Sequence, residues 1–264
     1  MSGKQYLPRL SVVCNRKGVL DIDTVKGCAL GMAARPSGGC YGVCYANKVA
    51  TLYGFDFSKA TSRTVFDKVQ VERAVTNHPA TWFRIGVMGE PCHDWDFTVF
   101  VCGWLSRYKT PVIVTKSWID LSDDQVGALV SCGAVVNIST SPLDTEAERE
   151  KRLDQFCRLK RLRVRVALRI VSVNAGNTLL NEAYGDKVDE IQRSLFSYFP
   201  TIDNPLRIPK NDRRVRYGDI LTERHADLGG GSTISIFNHK THIGKCDGCP
   251  DLCGIAFYGK ERAA

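Results

Sequence analysis

The feature that most constrains this fold is an alternation of short apolar runs with helical stretches through the middle of the chain. Four runs rich in Val and Ile have the length of strands that are buried on both faces: 83–88, 111–116, 134–139 and 164–171. Helices are predicted between them at 97–108, 122–132 and 144–160. Strands joined by right-handed helical crossovers form a parallel sheet. The sequence therefore predicts an α/β fold, either open and doubly wound or rolled toward a barrel.

Composition sets the broad class of the protein. The 264 residues are 44% hydrophobic and 24% charged, which is typical of a globular chain and not of a disordered one. No run approaches the ~18 apolar residues of a membrane span, and the first residues lack the apolar core of a signal peptide. We therefore expect a soluble cytoplasmic protein without a membrane partner. The net charge of +8 favours an anionic partner.

Eleven cysteines are unusual for a chain in a reducing compartment, where disulfides do not persist. Five are scattered and are predicted to be small core residues: Cys14, Cys92, Cys102, Cys132 and Cys157. The other six form two triplets: Cys28, Cys40 and Cys44 in a Gly-rich N-terminal segment, and Cys246, Cys249 and Cys253 near the C-terminus. Two such triplets indicate two metal or iron-sulfur sites.

The N-terminal triplet has the spacing C-x11-C-x3-C. Three thiolates on a 4Fe-4S cube leave one iron open to an outside ligand. The alternative is a zinc site that needs a fourth ligand, and no His precedes His78 to supply one locally. The residues favour the cluster.

The C-terminal triplet has the spacing C-x2-C-x3-C and follows His239 and His242. Zinc with one of these histidines as fourth ligand fits the pattern, and so does a second 4Fe-4S cluster. Both readings stay open at this point.

Polar residues stand at the carboxyl ends of the predicted strands, where parallel α/β folds bind their ligands. They are Gly89 and Glu90, Lys116, Ser139 and Ser141, and Arg169. Lys116 and Arg169 lie beside apolar runs, where a charge either reaches solvent or binds a ligand. Glu90 is either a ligand-binding carboxylate or a partner of a helix N-terminus.

These features, in this order along the chain, resemble the radical S-adenosylmethionine (radical SAM) superfamily. The cysteine loop resembles its cluster loop, Met88-Gly-Glu-Pro its second-strand motif, and the polar ends of the fourth and fifth strands its cofactor-binding residues. The resemblance implies a partial (β/α)6 barrel over residues 1–208 and a small Cys-rich extension over 209–264. The extension would carry the auxiliary cluster or zinc.

The resemblance also implies the cofactors and a reaction. A 4Fe-4S cluster on Cys28, Cys40 and Cys44 would bind S-adenosylmethionine and cleave it to a 5′-deoxyadenosyl radical that abstracts hydrogen from a substrate. The Gly89-Glu90 motif would accept the amino group, and Lys116 or Arg169 would pair with the carboxylate. Ser139 or Ser141 would bond the ribose. An electron donor such as flavodoxin is implied, whereas no catalytic residue is assigned.

Two branches of the superfamily are most similar: the spore photoproduct lyase and DNA-repair photolyase-like group, and phage-encoded proteins of thymidine hypermodification. Both imply a modified thymine in DNA, an isomerase or lyase-type hydrogen abstraction, and the host cytoplasm if the protein is phage-encoded. The common superfamily spacing, C-x3-C-x2-C, would place its third cysteine at Asn47, so Cys28 must supply that ligand from upstream. Two basic runs, 158–165 and 210–216, are candidate phosphate contacts.

Two other functions are compatible with parts of the pattern. A radical SAM enzyme acting on a free amino acid or peptide has the same cofactor residues, and only the basic runs count against it. A non-catalytic zinc or iron-sulfur module that binds nucleic acid explains the cysteines and the charge. That module has no need of Gly89, Glu90 or polar strand ends in register with a cofactor.

The two triplets predict that protein purified without oxygen is brown and holds iron for more than one cluster. Iron, sulfide and zinc analysis of the anaerobic protein checks this. Iron for one cluster with stoichiometric zinc would overturn the auxiliary-cluster interpretation alone. Zinc as the sole metal after reconstitution would refute the enzyme hypothesis.

Overall fold

The structure is a computed structural model that describes residues 8–35, 38–42, 44–173, 182–206, 221–223, 232–234 and 245–259. The second basic run, 210–216, and both C-terminal histidines, His239 and His242, lie outside the described residues. So does the predicted boundary at 208/209, which stays a prediction. The chain divides into two compact units, residues 1–136 with 162–165 and residues 137–161 with 166–264.

Strands and helices alternate along the described chain. The strands are β1 Ser11–Cys14, β2 Leu20–Asp23, β3 Val25–Lys26, β4 Thr61–Ser62, β5 Trp82–Ile85, β6 Thr110–Thr115, β7 Val135–Thr140, β8 Arg165–Ile170, β9 Thr201–Asp203, β10 Leu221–Glu223 and β11 Ser232–Ile234. The helices are α1 Ala29–Ala34, α2 Tyr45–Leu52, α3 Lys68–Asn77, α4 Trp95–Leu105, α5 Asp123–Ser131, α6 Glu146–Arg161 and α7 Glu182–Leu195. Short 3-10 turns lie at Cys40–Gly42, Pro91–Asp94, Cys246–Gly248 and Leu252–Tyr258.

The main sheet confirms the predicted α/β class. Its seven strands, within the described residues, follow the order β1-β2-β5-β6-β7-β8-β9. β5 pairs in parallel with β2 and with β6, and β8 pairs in parallel with β9. β1 runs antiparallel to β2 at the sheet edge. The sheet is therefore open between β1 and β9 rather than closed.

Local signals explain why the predicted helices form where they do. The side chain of Ser122 accepts a hydrogen bond from the Gln125 amide, and the Gln125 side chain bonds back to the Ser122 amide, so α5 has the predicted N-cap in a full capping box. Asp94 caps α4 in the same way by accepting from the Phe97 amide at 3.0 Å. Each predicted helix begins and ends within three residues of its observed bounds.

Two sequence predictions are wrong in detail. The expected sixth strand at 205–209 is instead β9, Thr201–Asp203, which ends just before Pro205, a residue without the amide that a ladder needs. Of the scattered cysteines, Cys92 and Cys102 are buried as expected, whereas Cys14 and Cys157 are exposed. Cys14 lies on the edge strand β1 and Cys157 on the outer face of α6.

Each unit has its own apolar core. In the first unit it includes Ile22, Phe83, Ile85 and Ile113, all fully buried on the central strands. In the second unit Ile138, Leu168 and Ile170 are fully buried from β7 and β8. None of the helices within the described ranges combines the length and the apolar character needed to cross a membrane.

Close backbone packing at Gly86 gives a test of this fold. Gly86 has φ +95°, and a Cβ there would lie 2.0 Å from the Val114 carbonyl oxygen on the neighbouring strand. Gly86→Ala should therefore lower the free energy of unfolding by about 2 to 4 kcal/mol, through both the backbone conformation and the clash. Denaturant unfolding measures this.

The matched control is Gly103→Ala in α4, where a Cβ meets no atom within 4 Å. It should raise the free energy of unfolding by up to about 1 kcal/mol, because Ala favours the helix. Equal stabilities for the two variants would contradict the pairing of β5 with β6.

Candidate functional site

The N-terminal cysteines lie on a segment that folds back on itself. Cys28 directly precedes α1, Cys40 begins a 3-10 turn, and Cys44 directly precedes α2. The long gap between the first two cysteines therefore holds a short helix and not only the loop expected from its glycines. A Cβ at Gly31 in α1 would lie 2.7 Å from the Cys28 sulfur and 3.1 Å from the Cys40 sulfur. Both thiols thus converge on the space that the absent side chain leaves.

The third thiol is nearby in an apolar setting. Cys28 is buried in a cluster with Ala46, Ala50 and Phe57, and Cys44 packs against the same cluster. Burial raises the pKa of the Cys28 thiol well above its ordinary value, and the negative charge of Glu90 and the Cys40 thiol add to the rise. Without a cation beside it, Cys28 is a neutral thiol.

Gly89 joins the second-strand motif to the cysteine segment. The Gly27 amide donates to the Met88 carbonyl at 3.2 Å, and the Glu90 amide donates to the Gly27 carbonyl at 3.0 Å. A Cβ at Gly89 would lie 2.0 Å from the Val25 carbonyl oxygen, so no other residue type fits this approach. The structure therefore places Gly89 and Glu90 directly beside Cys28.

The Glu90 carboxylate is buried and hydrogen-bonded. One oxygen accepts from the Thr115 hydroxyl and, at 3.4 Å, from the Cys92 amide, and the other accepts from the Lys116 amide at 2.9 Å. Burial raises its pKa, and these hydrogen bonds oppose the rise. Glu90 also caps the turn Pro91–Asp94, as the alternative interpretation of this residue expected. A carboxylate has about four acceptor positions, so one remains beyond the bonds seen in the described residues.

Lys116 follows β6 and faces the cysteine segment. Its side chain is buried, with only 9% of the residue exposed, and its ammonium lies 4.1 Å from the ring centroid of Tyr41, the neighbour of Cys40. A cation over an aromatic ring is stabilised when it is removed from water. In the first unit, then, the structure brings together the three cysteines, Gly89, Glu90 and Lys116.

In the second unit, Ser141 is fully buried and holds the loop after β7. Its hydroxyl donates to the Val171 carbonyl at 2.8 Å and accepts from the Leu143 amide at 3.2 Å. The adjacent Asp144 carboxylate accepts from the Ser141 amide and pairs with the buried Arg152 at 2.5 Å. The Ser141 hydroxyl is therefore engaged in the fold, and its predicted ribose contact stays a prediction.

Ser139 and Arg169 also lie in the second unit. Ser139 is buried on β7, one strand face along from Asn137. The Arg169 guanidinium donates to the Asn204 side chain at 2.8 Å and lies 4.0 Å from the Cys253 sulfur. The residue predicted to bind a carboxylate thus contacts the C-terminal cysteine segment.

The C-terminal triplet lies on two successive 3-10 turns. Cys246 is buried, and the Cys249 amide donates to its carbonyl at 3.2 Å. The Asn137 side chain donates to the Cys253 carbonyl at 3.0 Å, and Cys253 has φ +52°. Within the described residues, no group of three His, Cys, Asp or Glu side chains is positioned to hold a single metal ion.

The first basic run lies at the other end of its strand from Arg169. Arg158, Lys160 and Arg161 occupy the last turn of α6, where cations stabilise the helix dipole, and Arg165 begins β8. Lys160 donates to the Phe199 carbonyl at 2.7 Å. These residues are thus remote, along β8, from the carboxyl end where ligands bind in such folds.

Sequence reasoning missed two residues that complete this arrangement. Thr115 links Glu90 to the β6 end, and Ser117 is a buried residue directly after Lys116. Their position at a predicted strand end was visible in the sequence. Their hydrogen bonding depends on Glu90, which is distant along the chain, and no local pattern reveals it.

The sequence matches no family model and no curated protein. Solved structures do match. One is a cysteine variant of spore photoproduct lyase with bound AdoMet and dinucleoside spore photoproduct: identity is 10%, TM-score 0.55, with 97% of this chain and 77% of that chain covered. Another is spore photoproduct lyase complexed with dinucleoside spore photoproduct, at 11% identity and TM-score 0.55, over 97% and 77% of the two chains. This chain shares the fold of spore photoproduct lyase.

The residues beside Gly31 fit an iron-sulfur cluster in two respects. Thiolates are the ligands that iron-sulfur clusters take, and the absent side chain leaves room where two of the three sulfurs converge. Each thiolate of a cube binds its own iron atom, so the three stand farther apart than ligands of one ion. The apolar cluster around Cys28 and Cys44 supplies a shell that keeps water away.

The packing at Gly31 predicts that Gly31→Ala loses most of its iron after anaerobic reconstitution. The new Cβ forces the Cys28 or Cys40 side chain to rotate away, which removes a sulfur from the site. The fold should survive, because Ala favours a helix. Iron content and thermal melting measure the two effects.

Gly127→Ala in α5 is the control, since a Cβ there meets no atom within 4 Å. This variant should keep its iron. Wild-type iron content in Gly31→Ala would show that the two thiols do not act together.

Proposed function

We propose that this protein is a radical S-adenosylmethionine enzyme that abstracts hydrogen from a nucleic-acid-derived substrate. The observation that carries the proposal is the pair of backbone bonds on either side of Gly27, which joins Cys28 to the Gly89-Glu90 motif. Two sequence features with separate roles in one cofactor site are thereby adjacent in space. The shared fold with spore photoproduct lyase, solved with bound AdoMet, supports the same conclusion.

In this proposal Cys28, Cys40 and Cys44 hold a 4Fe-4S cluster. The cluster would bind S-adenosylmethionine at its open iron and supply the electron that releases a 5′-deoxyadenosyl radical. Glu90 accepts an N–H of the substrate amino group at its remaining acceptor position, and the Lys116 ammonium pairs with the carboxylate. The apolar cluster at Cys28 excludes water from the reacting centre.

The second unit contributes by resemblance. Ser139 is the proposed ribose contact, whereas the polar groups of Ser141 and Arg169 bond to neighbours in their own unit. We propose that the C-terminal triplet is a second metal site, for a 4Fe-4S cluster or zinc, with Arg169 beside Cys253 balancing thiolate charge. A one-electron reductant such as flavodoxin is the proposed protein partner.

The proposed substrate is a modified pyrimidine base, in DNA or as a nucleotide. Support comes from the relatives in fold, which were solved with dinucleoside spore photoproduct, and from the net charge of +8. A base flipped out of a strand presents its substituent to a radical, which fits hydrogen abstraction followed by isomerisation, bond cleavage or modification. The thymidine-hypermodification resemblance makes thymine the first base to examine.

The function is tested by anaerobic assay of 5′-deoxyadenosine formation from S-adenosylmethionine under reduction. The wild-type protein should form it, and Cys28→Ala, Cys40→Ala and Cys44→Ala should each fall to background. Cys14→Ala, which removes an exposed thiol outside the site, should retain activity. No product from wild-type protein with a full cluster would refute the proposal, and full activity in Cys28→Ala would show that another residue is the third ligand.

The same assay identifies the substrate class. Thymine-containing oligonucleotides and dinucleotides should stimulate turnover, and oligonucleotide affinity should fall steeply as salt rises, because phosphate contacts release counterions. Turnover with free amino acids or peptides alone, together with salt-independent binding, would reject the nucleic-acid substrate.

A further inference from the structure

Ser117 combines two unfavourable features directly after β6. It is 1% exposed and its hydroxyl has no hydrogen-bond partner within the described residues. Its backbone has φ +51°, in the left-handed region that suits glycine and that serine seldom adopts. Buried polar groups without partners and strained backbones both cluster at functional sites.

Neighbouring groups impose this conformation on Ser117. Its amide donates to the Thr115 hydroxyl oxygen at 2.8 Å, and the Thr115 hydroxyl donates to Glu90. Farther along, the Trp95 indole N–H donates to the Ile119 carbonyl at 2.8 Å. The loop 116–119 is therefore anchored at both ends, and the Ser117 side chain is held in one place.

The fold alone does not account for a serine here. Glycine would accept the positive φ without strain, and alanine would fill the space without burying a hydroxyl that bonds to nothing described. A serine is explained if a bound molecule supplies the missing partner. The position beside Lys116 and Glu90 restricts what that molecule offers, since these two residues present one positive and one negative group.

We propose that the Ser117 hydroxyl binds the amino-acid end of S-adenosylmethionine, together with Glu90 and Lys116. A hydroxyl both accepts from an ammonium and donates to a carboxylate, so it suits a zwitterion. This inference rests on the proposed function and adds a residue to its cofactor site. Lys116 and Ser117 then contact the same ligand from consecutive positions, because the left-handed turn at Ser117 redirects its side chain.

The experiment measures S-adenosylmethionine affinity by calorimetry on anaerobically reconstituted protein, and thermal stability without the ligand. Ser117→Ala should leave the melting temperature unchanged, because no hydrogen bond within the described protein is lost. It should weaken binding roughly 10- to 100-fold, the effect of losing a bond to a charged group. Ser117→Gly should weaken binding equally and raise the melting temperature, because glycine relieves the positive φ.

The control is Thr98→Val in the same unit. The Thr98 hydroxyl is buried and bonded, 2.7 Å from the Thr24 hydroxyl, so its removal should lower the melting temperature. This variant shows what loss of a structural hydroxyl does.

The outcomes separate the two proposals. If the wild type binds S-adenosylmethionine and Ser117→Ala binds it as tightly, the role of Ser117 is overturned while the proposed function stands. A melting temperature that falls in Ser117→Ala as in Thr98→Val also overturns it, since the hydroxyl is then structural. A wild type that binds no S-adenosylmethionine overturns both.

Discussion

The two ends of one residue, Glu90, join the loops of the first unit. Its amide binds Gly27 at the base of the cysteine segment, and its carboxylate binds the Thr115 hydroxyl and the Lys116 amide at the end of β6. Removing a carboxylate from water is unfavourable, and the raised pKa of Glu90 records that penalty. The hydrogen bonds offset it. The relative positions of Cys28, Lys116 and Ser117 all depend on this buried connection.

The same burial governs how the cysteine segment takes up metal. The raised pKa of Cys28 means that its proton leaves only when a cation is there to stabilise the thiolate. Metal uptake at this site is thus coupled to proton release and grows more favourable as pH rises. The Lys116 ammonium, held over the Tyr41 ring, adds positive charge on the same side of the segment.

How much the sequence predicts depends on how local each signal is. The capping box at Ser122 and the apolar runs of β6 and β7 lie within a few residues of the features they specify, and both were predicted. Helix α1 was missed, because the glycines between Cys28 and Cys40 indicate a loop. Glycine at position 31 serves the two thiols instead, and that requirement appears only when the sulfur positions are known.

The candidate site divides in the same way. Residue types and order along the chain were enough to select Glu90 and Lys116. They did not reveal that Glu90 bonds to the end of β6, or that Ser117 is buried without a partner, because both facts arise from contacts between distant segments. Likewise, the contact of Arg169 with Cys253 joins positions 84 residues apart.

The attachment of the chain's last described turn has a consequence for biosynthesis. The Tyr258 hydroxyl donates to the Val166 carbonyl and accepts from the Val166 amide, at 2.7 and 3.0 Å, across 92 residues of sequence. A ribosome adds roughly 5 to 20 residues each second, so β8 emerges about 5 to 20 seconds before this partner exists. During translation, part of its backbone must stay bonded to water or to a chaperone. The second unit can complete its hydrogen bonding only after nearly the whole protein has been made.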